Sequence, residues 1–276
     1  MTRYLRFVKI EHTFFSLPLI YSGVFLAAEQ LPSWRVLLLI FVAAAGARTV
    51  ALSLNRIIDR EIDRRNPRTA GRELPSGQMR LGEALAVLGA GLGFYLGAAY
   101  AIAPVCLYYS PIPLLIFVVY PYMKRFTPLA HLGVGLGLSM APLGGWFAIA
   151  QSFHQVLPAI LLALFTLFWV SGFDIIYSTL DEEFDRQEGL YSFPSVWGRK
   201  KALAISALLH ILAFAMLLAL FLWQMRTLAS FFFLLLAGGL LYLEQRQSSN
   251  VPLAFFRINI IIGLVIFLFV AAGEKS

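Results

Sequence analysis

Two short acidic stretches stand out in a chain that is otherwise strongly apolar: Asn55-Arg56-Ile57-Ile58-Asp59-Arg60-Glu61-Ile62-Asp63 and, much later, Asp174-Ile175-Ile176-Tyr177-Ser178-Thr179-Leu180-Asp181-Glu182-Glu183-Phe184-Asp185. On a helix, side chains four residues apart are rotated by only about 40°, so the spacing predicts that Asn55, Asp59 and Asp63 share one face. Tyr177, Asp181 and Asp185 are expected to share another. Carboxylates stacked in this way repel one another and weaken a helix unless a cation neutralises them. The donors point to Mg²⁺, which prefers carboxylate oxygens completed by water and phosphate oxygens. Two such clusters facing each other would hold about two or three Mg²⁺ ions and bind a diphosphate, with nearby cations adding donors where negative charge builds on a leaving pyrophosphate. Arg68, Arg72 and Lys124 are candidates for that role. The competing reading is that the aspartates merely solvate helix ends, paired with neighbours such as Arg60 and Arg64. Recurrence of the motif argues against it.

Asp174 lies two helical turns deeper than Asp181 on the same face, and Arg48 stands in the same relation to Asn55. A carboxylate near hydrocarbon is costly and needs a task or a partner. Arg48 and Asp174 are therefore read either as a buried ion pair or as groups that orient a small polar acceptor beneath the metals, two roles that are compatible. Glu61, Glu182 and Glu183 lie off these faces and are expected to meet solvent or arginines.

The elements that must position these residues are membrane helices. Of 276 residues, 59% are hydrophobic and 13% charged, with a mean hydropathy of +0.77, far above an ordinary soluble domain. Apolar runs give about nine spans, approximately 13–30, 36–58, 82–103, 105–122, 129–150, 156–179, 202–223, 227–243 and 252–272. The net charge of +7 and pI near 9.7 would suit nucleic acid, but the distribution of cations indicates a bilayer instead. Of the 22 Lys and Arg residues, only Arg35, Arg226 and Lys275 fall outside when the N-terminus is placed inside, and Arg48 falls within a span. A cytoplasmic N-terminus and an external C-terminus follow. The first apolar run has no small-residue cleavage site and is expected to be a permanent helix. Cys106, the sole cysteine, excludes an internal disulfide, and His12, His131, His154 and His210 are too scattered to suggest a zinc site, so each is expected to be structural.

The longest polar stretches, Arg60 to Arg80 and Leu180 to Lys201, follow spans two and six. An even number of crossings separates them, which puts both acidic helix ends on one side of the membrane. The expectation is one domain over 1–276, built from a possible four-helix repeat, 1–128 and 129–250, plus one helix, its two acidic ends across a central cavity. Glycines of the fifth helix, Gly133, Gly135, Gly137, Gly144 and Gly145, read as packing positions. Phe14, Phe15, Phe117, Tyr120, Phe168, Trp169 and Phe173 are aromatic candidates to line a passage for an isoprenoid tail and stabilise an allylic cation.

Taken with Arg68-Thr69-x-x-Arg72-x-Leu74-Pro75-Ser76-Gly77, Tyr120-Pro121-x-x-Lys124-Arg125-x-Thr127 and the Gly189 that follows Asp185, these motifs resemble the UbiA superfamily of intramembrane prenyltransferases over nearly the whole chain. The resemblance implies about nine transmembrane helices around a central cavity, capped on the cytoplasmic side of the cell membrane by loops 2-3 and 6-7. It implies Mg²⁺-dependent transfer of a polyprenyl group from polyprenyl diphosphate to a small aromatic acid such as 4-hydroxybenzoate, in quinone biosynthesis. A naphthoate or a glyceryl phosphate is the alternative acceptor. Asn55, Asp59, Asp63, Asp181 and Asp185 would hold metal, while Lys124, Arg68, Arg72, Arg125 and Tyr120 would bind substrate. Asp174, Arg48 and Tyr177 would act at the reacting centre. Arg56 replaces the acid of the family's frequent Asn-Asp variant, which removes one carboxylate from the first site. A transporter would instead be expected to concentrate carboxylates near the midplane.

Overall fold

The computed structural model describes residues 2–9, 13–250 and 257–273. Ile10, Glu11 and His12, the side chains of Phe14 and Phe15, residues 252–256 of the expected ninth span, and Lys275 lie outside the described residues. Among the described residues the protein is entirely helical, in the order α1 (Thr2–Phe7), α2 (Thr13–Ala27), α3 (Trp34–Ile58), α4 (Arg60–Arg65), α5 (Leu81–Ile102), α6 (Pro104–Tyr109), α7 (Pro111–Met123), α8 (Ala130–Ala150), α9 (Leu157–Ser178), α10 (Glu182–Gln187), α11 (Phe193–Gln224), α12 (Leu228–Arg246) and α13 (Asn259–Ala271).

Among the described residues, seven stretches are long and apolar enough to cross a membrane: α3, α5, Pro104–Met123, α8, α9, α11 and α12. Two shorter apolar helices, Ser16–Ala27 and Asn259–Ala271, occupy the first and ninth places in chain order. The protein is an integral membrane protein, and its exposed Phe94, Leu115, Ile211 and Phe232 side chains suit contact with lipid. The expected single span 105–122 is divided into α6 and α7 at Ser110, where Pro111 begins the new helix without a backbone N–H to give. The sixth loop is also more ordered than its polarity suggested. It contains α10, and α11 starts at Phe193, nine residues before the expected boundary, because Ser192 caps it with an acceptor for the Ser195 N–H. Gly198, at φ 77°, kinks that extended helix.

The chain divides into two compact units, residues 1–14 with 32–122 and residues 15–31 with 123–276. In the first, α3 and α5 approach closely at Gly46 and Gly91, where a Cβ would meet the Tyr95 backbone and the Thr49 side chain respectively. A small core of Phe7, Leu74, Met79 and Ala84 joins α1, the 66–80 loop and the start of α5. In the second unit α9 is the most buried element, with Phe165 stacked on Trp169 and Phe173 meeting Trp169 edge to face. Gly135 brings α8 against α9 and Gly145 brings it against α2, since a Cβ at either would overlap a facing carbonyl, Leu167 or Ile20. Gly144 faces open space.

The two neighbouring glycines therefore predict opposite outcomes. Gly145→Ala forces α2 and α8 apart and costs about 1–3 kcal/mol, whereas Gly144→Ala is neutral or mildly stabilising. Thermal unfolding of the purified variants in one detergent checks the contrast; equal melting temperatures would refute the packing assignment.

Candidate functional site

The first acidic stretch does not run as one continuous helix. Main-chain bonding continues through it, Asp59 N–H to Asn55 O at 2.9 Å and Asp63 N–H to Asp59 O at 2.8 Å, but Asp59 itself sits at φ −92°, ψ 5° and separates α3 from α4. Asn55 Nδ2 donates to Asp59 Oδ2 at 3.2 Å. Asp59 and Asp63 are only 2% and 5% exposed, so their charges need support from protein groups. Asp63 has it from Arg72, whose Nη1 lies 2.9 and 2.7 Å from the two carboxylate oxygens. Removing either partner of such a pair strands the other at a cost of about 3–5 kcal/mol.

The loop that carries Arg72 is folded around the same carboxylate. Thr69 Oγ1 donates to the Asp63 carbonyl at 3.1 Å, and Asn66 Oδ1 receives the Arg68 N–H at 2.9 Å. Behind it, buried Arg56 donates to Glu73 Oε2 at 2.8 Å and lies over the Phe7 ring at 5.5 Å. Arg3 and Tyr4 of α1 both bond to Glu83 Oε1, which ties α1 to the start of α5. Of the cations expected to bind anions, Arg68 is exposed and Arg48 is half-buried in α3. Tyr120 is half-buried on α7 of the same unit.

The second stretch breaks at the corresponding aspartate. α9 ends at Ser178, Asp181 takes φ −108°, ψ 4°, and α10 follows with the Asp185 N–H on the Asp181 carbonyl at 2.8 Å. Past α10, Gly189 turns the chain with φ 67°, a conformation that side chains oppose. The Leu190 N–H then returns to the Asp185 carbonyl and the Tyr191 N–H to the Lys124 carbonyl, each at 2.8 Å. These bonds link Lys124 to the acidic turn. Burial pushes the Asp185 carboxyl up to about 6 from the ordinary 3.8, and Asp181 pushes the same way, while a Ser192 hydrogen bond, Lys124 and His131 pull it down.

Asp174, two turns deeper in α9, is held by His131 of α8, Nδ1 to Oδ2 at 2.7 Å. Sequence spacing suggests Arg48 as a possible partner for Asp174 and a structural role for His131; the structure instead pairs Asp174 with His131. Tyr177, Asp181 and Asp185 are half-buried, as are Lys124 and Arg125 after α7.

Among the described residues, no three His, Cys, Asp or Glu side chains converge as a ready metal centre. The donor chemistry nevertheless fits Mg²⁺. The Asn55, Asp59 and Asp63 set and the Asp181 and Asp185 pair offer hard oxygen atoms, and Mg²⁺ commonly binds through one or two carboxylates with water and phosphate completing its shell.

A model of the UbiA prenyltransferase family matches residues 16–269. Over 229 residues the chain is 31% identical to a 4-hydroxybenzoate octaprenyltransferase of Vibrio vulnificus, covering 82% of this chain and 78% of that protein. The structure superposes on a UbiA homolog from Aeropyrum pernix K1 with a TM-score of 0.85 and 34% identity, over 93% of this chain and 96% of the other. A more distant UbiA homolog, from Archaeoglobus fulgidus and bound to GPP and Mg²⁺, shares the fold at a TM-score of 0.73 and 20% identity, over 98% of each chain.

The raised Asp185 carboxyl has a direct consequence for stability. A carboxylate whose folded value lies above its ordinary one favours the fold fully below that ordinary value and loses the contribution as pH rises through the folded value. Metal-free protein is therefore expected to gain thermal stability as pH falls through about 6, and Asp185→Asn to lack that component. Melting temperatures in EDTA from pH 7.5 to 4.5 test it; a constant difference between the two proteins would contradict the assignment.

Proposed function

The chain belongs to the UbiA prenyltransferase family, and on that premise we propose that it transfers a polyprenyl group from polyprenyl diphosphate to an aromatic acid such as 4-hydroxybenzoate, in quinone biosynthesis. The observation that carries the reading is the pair of matching acidic turns, Asp59 with Asp63 and Asp181 with Asp185, each a long apolar helix broken at an aspartate and restarted for six residues. The name of the Vibrio vulnificus relative supports the acceptor, and the ligands of the Archaeoglobus fulgidus homolog support the donor and the metal.

In this reading Asn55, Asp59, Asp63, Asp181 and Asp185 hold Mg²⁺. Bound Mg²⁺ would offset the charge gathering on the diphosphate oxygens as the allylic C–O bond breaks. Lys124, Arg68 and Arg72 add donors to the diphosphate. Arg72 reaches it from its place on Asp63, so one cation serves a metal ligand and the leaving group together. The carbon-oxygen pair leaves with diphosphate, and the ring carbon beside the acceptor's hydroxyl supplies the electrons of the new C–C bond. Arg48 or Arg125 orients the acceptor's carboxylate. Asp174 takes the hydroxyl proton as charge spreads onto that oxygen, and movement of the ring proton to oxygen restores the aromatic ring. Tyr120 and Tyr177 present aromatic faces that suit a transient allylic cation. Apolar helices keep water from that cation.

The same reading places the protein in the cell membrane with its N-terminus and the 60–80 and 180–201 loops on the cytoplasmic side. The even number of apolar spans from α3 to α9, four with α9 counted, supports an assignment of both acidic turns to one side of the membrane. The cation distribution supports that orientation. The one-domain reading is supported by a family match that runs through both units.

Purified protein supplied with geranylgeranyl diphosphate, Mg²⁺ and 4-hydroxybenzoate is expected to release pyrophosphate and form a prenylated acid, identified by mass analysis and abolished by EDTA. Asp59→Ala and Asp181→Ala should each reduce product by roughly 100-fold or more while leaving the melting temperature near that of the parent. Full activity in both variants would overturn the metal assignment. Product only with a naphthoate or glyceryl phosphate acceptor would overturn the 4-hydroxybenzoate assignment.

A further inference from the structure

We infer that His131 is a positioning residue for the reaction, fixing the Asp174 carboxylate so that one oxygen is occupied and the other is left for the acceptor's hydroxyl. The inference rests on the prenyl-transfer reading and adds to it a residue from a helix that carries none of the acidic motif.

The bond is short, 2.7 Å between His131 Nδ1 and Asp174 Oδ2. An ionised carboxylate only accepts, so Nδ1 carries the proton and donates it. The imidazole makes no other hydrogen bond: Nε2 is buried without a partner, His131 is 7% exposed, and the ring reaches the Asp185 carboxyl only electrostatically. A buried nitrogen without a partner costs about 1–3 kcal/mol. A leucine or phenylalanine would fill the same space without that cost, so packing does not account for histidine here. What the ring supplies is one directed donor.

The surroundings hold that donor in place. Gly135, one turn after His131, meets Ser171 and the Leu167 carbonyl of α9, while His131 meets Asp174. The two contacts are in antiparallel register, so the helix approach that needs a glycine also sets the histidine beside the carboxylate. The Phe193 ring packs against the imidazole, 5.6 Å between centroids and tilted by 45°. Asp174 is the more open of the pair, with 21% of its side chain exposed against 8% for His131. His131 is its one hydrogen-bond partner among the described residues. Oδ1 is thus the oxygen left for a substrate hydroxyl, and His131 acts through Asp174 without touching substrate.

Substitution separates this role from support of the fold. Asn places its side-chain amide nitrogen where Nδ1 stands, whereas Leu keeps apolar bulk and removes the donor. His131→Leu is expected to lower kcat by roughly 10- to 100-fold. Its affinity for geranylgeranyl diphosphate with Mg²⁺, measured by equilibrium binding, should be unchanged. His131→Asn should recover most of the loss. Full kcat in His131→Leu would overturn the inference, as would equal losses in the Leu and Asn variants at parental melting temperature, or a parallel loss of diphosphate binding. Wild-type protein that prenylates no acceptor would overturn the functional reading and this inference with it; active wild type with an equally active Leu variant would overturn this inference alone.

Discussion

Keeping carboxylates charged at the edge of hydrocarbon is the constraint on which the rest of this structure depends. Water cannot do it for Asp59, Asp63 and Glu73, each under 10% exposed, so the protein supplies its own donors. Arg72 is drawn back onto Asp63, Arg56 onto Glu73 and His131 onto Asp174. The first two hold the 66–80 loop against α3 and α4, and the third joins α8 to α9 where Gly135 already brings the helices together. Both acidic stretches also break their helix at an aspartate with nearly the same dihedrals, close to φ −90 to −110° and ψ 5°. The following carboxylate, one turn on, stays close to the first by a main-chain bond of 2.8 Å in each case.

The helix that carries the second stretch is held in place far from the acidic turn. Trp169 Nε1 donates to Asn259 Oδ1, and Asn259 Nδ2 donates to Glu244 Oε1, each at 2.9 Å. On the neighbouring face Ser206 donates to the Gly172 carbonyl and receives Gln245, which also reaches His210. Polar bonds buried in a membrane helix bundle have few competitors, so they fix rotation and depth as well as adding stability. α9 is clamped by α11, α12 and α13 within two turns of Asp174. A rigid α9 suits a carboxylate that must be aimed.

Much of this was legible in the sequence. Apolar runs located the seven long helices, because a stretch that must bury every backbone group in hydrocarbon has little freedom but to be a helix. The acidic stretches were legible from spacing, as was the packing role of Gly135 and Gly145. The helix breaks at Asp59 and Asp181 were not, because a four-residue repeat is satisfied equally by a continuous helix and by one interrupted at the repeat. His131 was hidden for a different reason. It lies 43 residues from Asp174, and only the register of two packed helices reveals them as neighbours. The attachment of Arg72 to Asp63 likewise depends on a loop path that polarity alone does not define.

The central claim is that the carboxylates of the two turns bind divalent metal together with a diphosphate. Its most direct measurement is equilibrium binding of Mn²⁺, followed by its paramagnetic resonance signal, to purified protein with and without a non-hydrolysable isoprenoid diphosphate analogue. The account predicts that the analogue increases Mn²⁺ binding and that Asp59→Asn and Asp181→Asn each reduce the number of ions bound. Mn²⁺ binding that ignores the analogue and survives both substitutions would contradict it.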